Sequence, residues 1–183
     1  MITIDMKVDG THLDLRTYYS DDDPRNVALN EALQRVLGSY GGNGVYRVPL
    51  SESNLLTETL VMLAAAHPES LRLIGVLAVI AAQGGAPTPQ FTFVGPPAVI
   101  RVALTDECLN VDLIDGDWFA STVSELIAEG SVPEGNRYRV PLALAYRALL
   151  GLAIIRTAKP EMLRLEGMFE AVTIAKAVMW SLQ

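Results

Sequence analysis

Apolar and polar residues alternate strictly at the start of the chain, with Ile2, Ile4, Met6 and Val8 on one parity and Thr3, Asp5 and Lys7 on the other. A period of two marks a strand with one buried face. Leu13 and Leu15 resume the pattern after the turn dipeptide Asp9-Gly10, so this segment reads as a β-hairpin. A second hairpin follows later, with Ile100, Val102 and Leu104 alternating before the turn Thr105-Asp106-Glu107. Laid side by side, Ile2 to Leu15 matches Ile100 to Leu113.

Helical spacing comes next in each half. Val27, Leu29, Leu33, Val36 and Leu37 form one stripe behind Asp21-Asp22-Asp23-Pro24, an acidic cap followed by a first-turn proline. Phe119, Val123, Leu126 and Ile127 form the other, with Asp115 or Asp117 as its cap. Gly38 and Gly130 stand where a left-handed residue closes a helix. The residue before a proline is pushed toward extended geometry, so Tyr46 to Val48 and Tyr138 to Val140 are expected to be short strands, with Pro49 and Pro141 opening the next helices. Those helices are expected to end at Ala66 and Ala158, because His67-Pro68 and Lys159-Pro160 interrupt them. A final helix then starts at each proline and contains Gly75 or Gly167, where close approach of another backbone, such as a twin helix across a symmetry axis, explains the glycine.

The two halves also match in identity. Tyr46 to Gly75 aligns without a gap on Tyr138 to Gly167, and thirteen of the thirty positions are the same. The expected fold is therefore α+β, an internally duplicated unit of β-hairpin, helix, strand and two helices with pseudo-twofold symmetry. Residues 1–83 form the first repeat, 84–97 a Gly/Pro-rich connector and 98–183 the second repeat, the two packed as one globular unit because such apolar halves leave too much surface uncovered apart.

Composition narrows the function classes. Half of the 183 residues are hydrophobic, enough for a sizeable core, yet no apolar run reaches the ~18 to 20 residues of a membrane span. The opening MITIDMKV lacks a basic end followed by an apolar stretch, and a single cysteine, Cys108, suits a reducing compartment, so a cytoplasmic location is expected. Cys108 is expected to be a buried small hydrophobe. The net charge is −7, and the basic residues are scattered without a stripe, which argues against nucleic acid and toward a basic protein partner. Apolar helices also point to oligomerisation.

Chemistry is sparse. His12 and His67 lack partners at metal-ligand spacing, and the acidic clusters lack the closing Glu of a calcium loop, so no metal or cofactor is expected. The glycine-rich stretch from Gly38 to Gly44 follows a helix rather than a strand and lacks a Gly-Lys-Ser or Gly-Lys-Thr ending, so it reads as a connector and not a phosphate loop. No serine sits in a nucleophile elbow, and no catalytic residue is assigned. The repeated pairs Tyr46-Arg47 and Tyr138-Arg139 suggest a ligand clamp, against an ordinary reading in which the tyrosines pack on the core and the arginines pair with acids such as Glu69 and Glu161. The leading expectation is a noncatalytic interaction protein of the immunity, chaperone or adaptor type, contacting its partner through Asp21, Asp22, Asp23, Asp115 and Asp117. The alternatives are a small-ligand-binding protein or enzyme with a pocket between the repeats, and a self-assembling structural component.

Overall fold

The computed structural model describes residues 1–19, 27–38, 41–42, 44–84, 95–127 and 131–181. The chain divides into two compact units, Met1–Gln90 and Phe91–Gln183. Among the described residues the fold is mixed α and β, with two mixed sheets and six α-helices.

In the first unit, strands β1 (Ile2–Asp9) and β2 (His12–Tyr19) form the hairpin. Asp9 pairs with His12, so the loop is Gly10-Thr11, one residue beyond the expected dipeptide. Helix α1 (Val27–Leu37) buries Leu33 and Leu37. Short β3 (Gly41–Gly42) and β4 (Val45–Pro49) lead through a 3-10 turn into α2 (Asn54–Ala66), then β5 (Leu71–Ile74) and α3 (Val76–Ala82). The sheet order is β3-β4-β2-β1-β5, antiparallel except for the parallel pair of β1 with β5.

The second unit runs β6 (Ala98–Leu104), β7 (Cys108–Asp115), a 3-10 turn at Asp117–Phe119, α4 (Ala120–Ile127), β8 (Val132–Glu134), β9 (Arg137–Pro141), α5 (Leu142–Ala158), β10 (Leu163–Glu166) and α6 (Met168–Ser181). Its sheet order is β10-β6-β7-β9-β8, with β10 parallel to β6. Read from the other edge, this is the order of the first sheet.

Three expectations are corrected. Leu71 to Ile74 and Leu163 to Glu166 are strands, not parts of a proline-led final helix. The prolines sit instead in tight turns after α2 and α5, closed by bonds from the Ser70 amide to the His67 carbonyl (3.0 Å) and from the Met162 amide to the Lys159 carbonyl (3.0 Å). Gly75 and Gly167 are the junctions between strand and helix, at φ of 84° and 77°. A side chain there would collide with the carbonyl oxygen of Met6 at Gly75 and of Val102 at Gly167. The backbone that approaches each glycine is thus the first strand of its own unit. Gly38 does not take the left-handed conformation, and Gly130 lies outside the described residues.

Each sheet has one covered face. Ile2, Ile4, Met6, Leu13, Leu15, Tyr46, Val48, Leu71 and Leu73 are buried on one side of the first sheet, where α3 meets β1 and α2 meets β5. Ala98, Ile100, Val102, Leu109, Val111, Leu113, Tyr138, Val140 and Leu163 do the same in the second, under α5 and α6. Within the first core, the Gln83 side-chain amide donates to the buried hydroxyls of Ser53 (2.7 Å) and Thr57 (2.9 Å), tying the end of α3 to the start of α2. No helix among the described residues is long and apolar enough to cross a membrane.

Candidate functional site

Strand parity turns every second residue to the face opposite the helices. On the first sheet that face carries Lys7, Arg16, Arg47 and Arg72, and on the second Arg101, Arg137, Arg139 and Arg164, together most of the chain's fourteen basic residues. Scattered in the sequence, they are gathered by alternation onto two exposed sheet faces.

The second sheet satisfies these charges internally. Arg137 holds Asp112 with two hydrogen bonds, of 2.6 and 3.0 Å. Arg101, across the strand from Asp112, bonds Glu166 at 2.9 and 3.2 Å, and Arg164 lies 3.7 Å from the same carboxylate. The hydrogen bond to Asp112, and then its charge, raise the Arg137 guanidinium above its ordinary value. Arg139 is raised first by the Cys108 side chain and then by Glu134 and Glu107, the last at 3.5 Å. Both shifts keep an already permanent cation charged. For Arg137 the contribution from Asp112 is complete at neutral pH and is lost only as pH rises past the raised value in strong alkali.

Arg47 of the first sheet pairs with Asp9 (3.2 Å) and Asp14 (3.6 Å). Glu69 and Glu161 are not the partners of Arg47 and Arg139, because each arginine reaches along the sheet face to its hairpin turn rather than across to the helices. Tyr46 and Tyr138 are buried on the opposite face, and the Tyr138 hydroxyl lies 3.1 Å from the Ser124 hydroxyl. Adjacent strand residues point to opposite faces, so within a unit the tyrosine and arginine of each expected clamp are separated by the sheet.

Cys108 is only 7% exposed, as expected, but it lies on the open face beside Asn110. Its thiol donates to the Asn110 side-chain oxygen (3.6 Å), and the Thr105 turn folds over it: the Thr105 hydroxyl accepts from the Cys108 amide (3.1 Å) and donates to its carbonyl (2.9 Å). Thr105, Cys108, Asn110, Glu134, Arg137 and Arg139 border an open concavity of ≈ 490 Å³. A second concavity of ≈ 380 Å³ lies on the first sheet among Asp5, Lys7, Asp9, Asp14 and Arg16.

The acidic loops divide. Asp21, Asp22 and Asp23 lie outside the described residues. Asp115 and Asp117 are exposed at the end of β7 and the start of the 3-10 turn. Neither caps that turn, since the capping position is left-handed Gly116 with no side-chain bond, and Asp115 instead accepts from the Gly116 amide at 2.7 Å. Between and beside these carboxylates, Ile114 and Trp118 are 51% and 41% exposed, and Trp118 stands edge-on to buried Phe119 at 5.3 Å. Sequence reading found the two acids but not the flanking apolar pair: the stripe led by Phe119 leaves Trp118 and Ile114 without an assigned direction, which the 3-10 turn then sets. No group of three or more His, Cys, Asp or Glu residues among the described residues is arranged to hold a metal ion. Comparison with protein-family models, with curated proteins and with solved structures found no match.

Proposed function

We propose that this chain is a noncatalytic cytoplasmic interaction protein that recognises a basic protein partner through the segment Ile114 to Trp118 of the second unit, and that Asp21, Asp22 and Asp23 of the first unit are acidic contacts in their own right. The observation that carries the reading is an exposed tryptophan and isoleucine set among the exposed carboxylates of Asp115 and Asp117. Interface energy concentrates in aromatic anchors, while surrounding charge sets encounter rate and partner choice. The net charge of −7 supports a cationic partner. The test is binding by the purified partner to Trp118→Ala and to Asp115→Lys/Asp117→Lys. Both variants are expected to fold normally by circular dichroism; the first dissociates faster, by about tenfold or more, and the second loses most of its association rate at low salt. Unchanged binding by both removes the reading.

A second reading, a ligand site, has one observation in its favour: the concavity beside Cys108, where Arg137 and Arg139 present guanidinium groups. Such groups suit a carboxylate or other anion, and a ligand whose affinity is unaltered by Arg139→Met excludes it. The duplication, the pseudo-twofold arrangement and the packing of the repeats as one unit belong to the proposal as well. Support for the duplication comes from the shared strand order and from the matched approach of a strand carbonyl to Gly75 and Gly167. Distances between spin labels on the two units test the twofold.

A further inference from the structure

The open face of the first sheet differs from that of the second in leaving charges unmatched. Among the described residues, Asp5, Lys7 and Arg16 form no ion pair, and Asp14 has only the distant Arg47 guanidinium, 3.6 Å from its Oδ1 and too far for a hydrogen bond. The strand register places these four as a square: Asp5 is opposite Arg16, and Lys7 is opposite Asp14. Signs therefore alternate both along and across the strands. The row through Asp5 and Arg16 continues outward to Val45 on β4 and Ile74 on β5, which are 54% and 44% exposed.

This pattern is its own complement. Rotation by 180° about an axis in the plane of the face, running along the strands midway between β1 and β2, exchanges β1 with β2 and β5 with β4 while keeping each row in place. Arg16 then meets the partner's Asp5, Asp14 meets the partner's Lys7, and Val45 meets the partner's Ile74. We propose that a second copy of this chain docks face to face on the first sheet about that axis, giving an isologous dimer with an apolar contact at each side of a central charge square. The proposal is independent of the partner site at Ile114 to Trp118, which lies on the other unit.

Size sets the expected strength. Strands β1 and β2 of eight residues, β4 of five and β5 of four, spaced ~4.8 Å apart at ~3.3 Å per residue, cover roughly 400 Å². Two such faces bury roughly 800 Å², below the ~1,000 Å² of a standard specific interface and in the range of weak, transient contacts. A reversible dimer is therefore expected, forming at micromolar concentration or above and weakened by salt that screens the exposed charges. The unpaired charges alone do not choose between a second copy and a foreign protein. The self-matching of both charge and apolar positions under one rotation favours the copy.

The experiment is sedimentation velocity of the full chain over a concentration series, with two sets of variants. Arg16→Asp sets like charges against each other across the interface and is expected to weaken the dimer about tenfold or more, whereas Asp5→Arg combined with Arg16→Asp restores the square and is expected to recover most of that loss. Thermal midpoints for each variant separate lost docking from lost folding. Independently, in a Cys108→Ser background, Val45→Cys chains mixed with Ile74→Cys chains are expected to form a mixed disulfide dimer under mild oxidation faster than either alone. A chain that stays monomeric to hundreds of micromolar, a dimer indifferent to Arg16→Asp, or cysteine variants that cross-link as readily alone as when mixed would each overturn the proposal.

Discussion

Gly75 and Gly167 carry the heaviest single-residue constraint in their units. Each combines a positive φ with a carbonyl oxygen where a side chain would begin. Alanine at either position is expected to destabilise its unit by at least about 2 kcal/mol, since strain and collision add. Gly38→Ala is the contrast: nothing lies within 4 Å and its φ is ordinary, so urea midpoints should show a change within about 1 kcal/mol. The sequence announced that these glycines matter, and that a backbone comes near, because they recur at the same place in the two aligned segments Tyr46 to Gly75 and Tyr138 to Gly167. It did not announce which backbone, because that depends on the parallel pairing of β5 with β1 and of β10 with β6. Gln83 shows a different limit. Its bonds to Ser53 and Thr57 join residues about thirty apart, and the aligned positions in the second unit are apolar Ala145 and Leu149. Gln83→Ala is expected to cost about 1 to 3 kcal/mol by leaving two buried hydroxyls short of a partner, while adding Ser53→Ala and Thr57→Val should recover much of it.

At the level of elements, hairpins and helices were legible because their periods are local: two residues for β1 and β6, near 3.6 for α1 and α4. Leu71 to Ile74 and Leu163 to Glu166 were misread because four residues are too few to separate the periods, and the preceding proline suits a helix start as well as a turn. The strands alternate buried and exposed as Leu71, Arg72, Leu73 and Ile74, a pattern visible only once their pairing is known. Pairing also corrects the alignment of the hairpins. Ile2 and Ala98 each face the first residue of the parallel edge strand, Leu71 and Leu163, so Ile2 corresponds to Ala98 and not to Ile100. Both hairpins then have the same loop length, and His12 falls opposite Cys108 in the comparison, each paired with the proline that ends the neighbouring strand. As an edge strand with a fully buried leucine, β10 gives a direct check: Leu163→Ala is expected to lower stability by about 2 to 5 kcal/mol in denaturant titration. Had this segment been a surface helix turn, the loss would be near zero.

For the whole molecule, charge is distributed by architecture rather than by sequence blocks. The basic residues concentrate on two open sheet faces, and the acidic excess is left elsewhere, including the exposed pair at Asp115 and Asp117. That gathering of basic residues, onto faces that also carry Asp5, Asp14, Asp112 and Glu166, was hidden in the linear chain, where the fourteen basic residues show no stripe. The proposed partner site was legible in half: its acids stood out as a cluster, while the exposure of Trp118 depended on the turn geometry after β7. The most direct test of the central claim is native mass spectrometry of the chain isolated gently from its source cells, wild type beside the triple variant Asp115→Lys/Asp117→Lys/Trp118→Ala. The account predicts a stoichiometric complex with a basic protein for the wild type and its loss in the variant. A basic partner retained equally by both, or a chain that carries only a small bound molecule, would contradict it.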